Sequence, residues 1–129
     1  MSPRRLVSLW GPVVAFMTGI LLLPPAAVAA VVPRGGDKVV HAVVYGGFAL
    51  LCLRAFHGRL GPLRAPAAAG AILLAMTFGL IDEWHQAFVP GREASGLDWT
   101  ADAVGILLAL GGLALFAGRR RARADEVQT

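Results

Sequence analysis

The chain has 129 residues, of which 57% are hydrophobic and only 16% charged, with a formal net charge of +4. A soluble domain of this length cannot hide that much apolar surface, because small domains bury too small a share of it; the excess faces lipid. The positive balance does not point to nucleic acid, since the arginines stand in short clusters between apolar runs and at the termini, where they set membrane topology. The 16 glycines fall mostly inside the apolar runs, where membrane helices use small residues for close backbone approach. Cys52 is the single cysteine; it cannot form an internal disulfide and reads as a small buried hydrophobe.

Four apolar runs predict four spans at about residues 6–24, 39–56, 66–88 and 99–117. Each approaches the ~20 residues that cross a bilayer as a helix. Short connections make consecutive helices antiparallel neighbours. The predicted fold class is therefore all-α: an integral membrane four-helix bundle of up-down spans. Residues 1–117 form a single transmembrane domain, and 118–129 a basic cytoplasmic tail. Arg4, Arg5, Arg54, Arg59, Arg64, Arg119, Arg120, Arg121 and Arg123 all fall on one side of this arrangement, against Arg34, Lys38 and Arg92 on the other. The positive-inside rule then places both termini in the cytoplasm. Asp37, Asp82, Glu83, Glu93, Asp98 and Asp102 gather on the outer side. A competing reading takes the first run as a signal peptide cleaved near Ala27-Val28-Ala29, although that run exceeds the usual length of such a segment.

Three polar patches map to the outer side. In the second span, Asp37, His41 and Tyr45 are spaced i, i+4, i+8, which holds them within an arc of ~80° on a helix. At the end of the third, Asp82, His85 and Gln86 share a face, Trp84 suits the lipid interface, and Glu83 points elsewhere. Pro90-Gly91 marks a turn that brings Arg92 back over the helix ends. At the start of the fourth, Asp98 and Asp102 lie one turn apart, and Ala101, Gly105 and Ala109 have small-xxx-small spacing on the same side. Ionisable groups in spans usually face the bundle interior, so the expected arrangement is one outward-opening pocket. Its ligand-binding candidates are Asp37, His41, Tyr45, Asp82, Gln86, Arg92, Asp98 and Asp102. Lys38, Glu83 and Glu93 are expected at the solvated rim.

These motifs, Asp37-Lys38…His41…Tyr45, then Asp82-Glu83…Gln86…Pro90-Gly91-Arg92, then Asp98…Asp102…Gly105, resemble the VanZ-like family of small four-helix bacterial membrane proteins. The resemblance covers about residues 32–113. One departure stands out: the family commonly carries Asn where this chain has Asp102. The resemblance implies a fold and a context, since the family's namesake is linked to low-level resistance to the glycopeptide teicoplanin. It implies no reaction.

Three functional readings follow, beside the plain one in which the polar residues only staple the helix ends together. The first is an enzyme with His41, Asp82, His85 and Asp98 as catalytic candidates. His41, His85 and Asp82 are its weak candidates for metal ligands, because no recognised zinc spacing is present. Arg92 would clamp a phosphate or carboxylate, as in a lipid-linked cell-wall precursor or a phospholipid head group. No nucleophile is evident, since Ser95 stands in the loop without a base. The second is a binding or accessory protein holding such a ligand without chemistry. The third, a proton-coupled transporter half, ranks last because no inverted repeat is visible. A cofactor is left open, as is assembly into a homo-oligomer.

Overall fold

In each apolar run, helix formation follows from local signals at its ends. The computed structural model describes residues 1–24, 27, 36–59, 63–92 and 94–127, the side chain of Asp125 excepted. Helix α1, Pro3–Leu22, starts with Ser2 capping Arg5 N–H at 3.4 Å and with Pro3 in the first turn, where a missing N–H costs nothing. Helix α2, Asp37–His57, carries Asp37 in its first turn, where a negative charge suits the helix dipole. It stops at Gly58, whose φ of 78° lets its N–H close onto Arg54 O at 2.9 Å. Helix α3, Ala65–Gln86, again opens with a proline, and helix α4 runs from Gly96 to Val127, on through the arginine run. The cleavage point of the competing signal-peptide reading, near Val28, and the residues Arg34 and Glu93 lie outside the described residues.

All regular structure among the described residues is helical, and all four helices are long and apolar enough to cross a membrane. At a rise of about 1.5 Å per residue, even the 20 residues of α1 match the ~30 Å hydrocarbon layer. The chain is a multi-pass membrane protein. Its surface agrees with that: Val43, Leu73, Leu107 and Leu108 are exposed along the spans, as lipid-facing side chains are.

Helices α2 and α3 each touch all three others, while α1 and α4 do not meet. The core lies where these helices converge. Phe48 and Phe78 are buried with ring centroids 5.3 Å apart, and Phe16 of α1 stacks on Phe48 at 4.4 Å. Ala71 and Ala75 of α3, Ile106 of α4 and Cys52 of α2 fill the space around them. Only Leu9 and Val13 of α1 are buried, so that helix is the peripheral one.

The most extensive contact is between α2 and α4, and it rests on glycine. A Cβ on Gly105 would overlap the backbone carbonyl of Ala42, and one on Gly46 would stand 2.9 Å from Gly105 O and 3.4 Å from Ala109 Cβ. Backbone cannot move aside as a side chain can, so the two helices approach this closely only because both positions lack side chains. Replacing Gly105 with Val is expected to lower stability by at least about 1–3 kcal/mol, the usual cost of overpacking. Gly112 has nothing within 4 Å of its Cβ position, so Gly112→Ala is expected to change stability by less than about 1 kcal/mol. Unfolding followed in detergent micelles checks both.

Candidate functional site

The polar residues collect at the end of the bundle where α2 starts, α3 finishes and α4 starts. On α3, Gly79, Asp82, Glu83 and Gln86 follow i, i+3, i+4, i+7, the spacing of a single helix face, and all four are buried. Opposite them stand Asp37, Lys38, His41 and Tyr45 of α2. Asp98 and Asp102, one turn apart on α4, close the third side and are 8% and 1% exposed. Gly79 leaves the room for this meeting: a Cβ there would stand 3.2 Å from Asp102 Oδ2 and 3.3 Å from the Tyr45 ring.

Hydrogen bonds join the three helices pairwise. Tyr45 O–H donates to Asp82 Oδ2 at 3.0 Å, and the Gln86 amide donates to the same oxygen at 3.1 Å. His41 Nδ1 lies 2.9 Å from Asp102 Oδ1, and its Nε2 faces Asp98 Oδ2 at 3.9 Å. An ionised carboxylate only accepts, so Nδ1 carries the proton when it bonds to Asp102 in that form. The Lys38 ammonium bridges Asp98 and Asp37, the latter at 2.9 Å. Trp99 Nε1–H donates to Met76 O at 3.2 Å, a further tie between α4 and α3.

The cluster holds five carboxylates and one lysine, and its hydrogen bonding is incomplete. Asp82 Oδ1, Glu83 Oε1 and Asp102 Oδ2 are buried with no hydrogen-bond partner among the described residues. Leaving a buried polar atom unsatisfied costs about 1–3 kcal/mol, and more when the group is charged. Three orphan oxygens on three neighbouring acids are therefore an expensive way to staple helices.

Two of the expected placements change. Glu83, expected at the rim, is 6% exposed, and its Oε2 accepts the Ser95 N–H at 2.7 Å. His85, expected beside Asp82 and Gln86, turns away. It is half-buried and lines a separate cavity of about 260 Å³ with Leu21–Pro24, Val89 and Arg92. The reason is the face itself: with 79, 82, 83 and 86 facing inward, position 85 falls roughly 110° from the centre of that face. His85 therefore does not join His41, and the group of donor atoms that converges is His41, Glu83 and Asp102. Trp84 is exposed, as its interfacial assignment requires. Lys38 is not merely solvated but holds two acids together.

Beside the cluster opens a cavity of about 190 Å³. Its polar wall is His41, Tyr45, Asp82 and Gln86; its apolar wall is Ile20, Leu23, Val40 and Val44. Arg92 closes it. Gly91, with φ 82°, makes the turn, and Arg92 N–H donates to Val89 O at 3.1 Å. Among the described residues the Arg92 side chain makes no hydrogen bond or ion pair. An amphiphile would find a cation, hydrogen-bonding groups and an apolar surface within this one space.

Four apolar helices meeting at one carboxylate-rich end define a small multi-pass membrane protein with a polar interhelical site. A model of the VanZ/LLP1 family matches residues 6–117, and the chain belongs to the VanZ-like family. No curated relative and no solved structure matches it.

The shared acceptor at Asp82 gives a direct test of the network. Tyr45→Phe and Gln86→Leu each remove one donor to Asp82 Oδ2 and are expected to destabilise by about 1–3 kcal/mol. Because they serve one oxygen, the double variant is expected to deviate from the sum by more than about 0.5 kcal/mol. Additive losses of a few tenths in detergent unfolding would show that the bonds contribute little.

Proposed function

We propose that this protein binds an amphiphilic cell-envelope ligand bearing a phosphate or carboxylate, at a site opening on the outer face of a bacterial plasma membrane. A lipid-linked wall precursor or a phospholipid head group has the required chemistry. The observation that carries the reading is Arg92, a cation without a partner among the described residues, set at the mouth of a cavity with one polar and one apolar wall. Guanidinium groups recognise phosphate and carboxylate by paired hydrogen bonds. Family membership supports the envelope setting, and a role in resistance to teicoplanin-type glycopeptides would follow from altered surface composition or drug access. Asp82, Gln86 and Tyr45 would orient the head group, and His41, held by Asp102, is the group best placed for proton transfer if the ligand is also processed. Asp98 would act on His41 from its far side.

The alternative is a non-catalytic accessory protein whose polar motifs only hold the helices together. The ties Lys38–Asp98, His41–Asp102 and Trp99–Met76 favour it. The two readings part at Arg92, which ties nothing among the described residues.

Purified protein in nanodiscs, titrated with a polyprenyl diphosphate and separately with phosphatidylglycerol, separates them. Arg92→Ala is expected to weaken binding of one probe about tenfold or more, the equivalent of about 1.4 kcal/mol, while unfolding in detergent stays unchanged. Unfolding of Arg92→Ala with no change in binding favours the staple. For topology, a fluorescent reporter fused after Thr129 is expected to fluoresce, and alkaline phosphatase fused after Arg92 to be active. The opposite pattern would turn the site to the cytoplasm.

A further inference from the structure

The acids of this cluster are not equivalent. Lys38 is engaged by Asp37 and Asp98, and Asp82 holds two neutral donors on one oxygen. Glu83 and Asp102 have no lysine or arginine partner among the described residues, and the His41 ring is the nitrogen group beside them. Glu83 is 6% and Asp102 1% exposed, and each keeps one carboxylate oxygen without a hydrogen bond among the described residues. The free oxygen of Asp102 faces Gly79, one turn from Glu83 on the same face of α3. His41, Glu83 and Asp102 each offer a donor atom, and these atoms lie within 4.8 Å of one another.

We propose that His41, Glu83 and Asp102 bind a divalent transition-metal ion, of the Zn²⁺ or Mn²⁺ kind, that joins α2, α3 and α4 inside the bundle. One imidazole and two carboxylates are a donor set that such ions accept. A single doubly charged ion would compensate two buried carboxylates at once and take up both of their unpartnered oxygens. Asp98 stands beside the set, its Oδ2 3.9 Å from His41 Nε2. The Ser95 N–H on Glu83 Oε2 fixes that carboxylate and leaves its other oxygen for the ion. At Asp102 a carboxylate oxygen is a stronger metal donor than an amide oxygen would be. His85 takes no part, for it lines the other cavity.

The test uses the full chain in detergent, stripped with a chelator and titrated with Zn²⁺ and with Mn²⁺ alone. Bound metal is counted by elemental analysis, and Mn²⁺ is followed by its electron paramagnetic resonance signal. The expected result is stoichiometric uptake of at least one of the two ions, with a raised unfolding temperature. Glu83→Gln and Asp102→Asn keep size and most hydrogen bonding, and each is expected to weaken uptake by about tenfold or more. His57→Gln, a histidine remote from the cluster, is expected to leave uptake unchanged. No stoichiometric uptake of either ion, or uptake indifferent to both cluster variants, overturns the proposal. Should both variants fail to fold, metal uptake by the wild-type chain decides, with a Mn²⁺ spectrum showing nitrogen coupling from the imidazole as the required signature. No lipid enters this experiment, so its failure leaves the proposed ligand at Arg92 standing, and loss of lipid binding leaves the ion standing.

Discussion

Burial of carboxylates in a low-dielectric layer is the constraint on which the structure turns. An ionised acid taken out of water costs several kcal/mol unless partners replace its hydration. Asp82, Glu83, Asp98 and Asp102 are all buried at one end of a bundle made otherwise of apolar residues. Helix packing answers the constraint. The α2–α4 contact over Gly105 and Gly46 brings His41 and Lys38 to the acids of α4, and Gly79 lets Asp102 and Tyr45 close onto α3. Those approaches give Asp98, Asp102 and Asp82 their partners on α2, while Gln86 and the Ser95 N–H serve Asp82 and Glu83 locally.

Below this polar end the bundle behaves as an ordinary membrane core. Phe48, Phe78 and the alanines of α3 pack without polar atoms, and the outer surfaces of the helices carry Leu and Val toward lipid. The division matters for the site. An apolar wall formed by Ile20, Leu23, Val40 and Val44 adjoins the polar one, so α1, otherwise peripheral, supplies part of the cavity.

Much of this was legible in the sequence, and the reason is the bilayer. Its thickness dictates helix length, so the four runs predict four helices; the first three keep their bounds closely, while α4 runs on to Val127 instead of ending near residue 117, its last turns lying in the arginine run. The i, i+4, i+8 spacing of Asp37, His41 and Tyr45 needs one reference direction, and α2 uses it. On α3 the periodicity was ambiguous. Asp82 is inward on either reading, but whether Glu83 or His85 joins it depends on how the helix is rotated. That rotation goes with Gly79, whose bare backbone leaves room for Tyr45 and Asp102, and with Ser95, whose N–H reaches Glu83 from a loop. Reading Gly79-x-x-Asp82-Glu83-x-x-Gln86 as one face would have found Glu83. Nothing in the spacing announces Trp99 as a donor to the Met76 carbonyl, because that contact depends on how α3 and α4 cross.

The order of the polar residues along the chain bears on how such a protein is made. A nascent membrane protein delivers its helices one at a time, and an acid that enters the bilayer before its partner is exposed to hydrocarbon. Here the partners come first. His41 and Tyr45 are synthesised ahead of Asp82 and Asp102, and Lys38 ahead of Asp98. Each of these later acids therefore has a donor that α2 has already supplied, and α2 is the one of α2, α3 and α4 that carries no buried acid of its own.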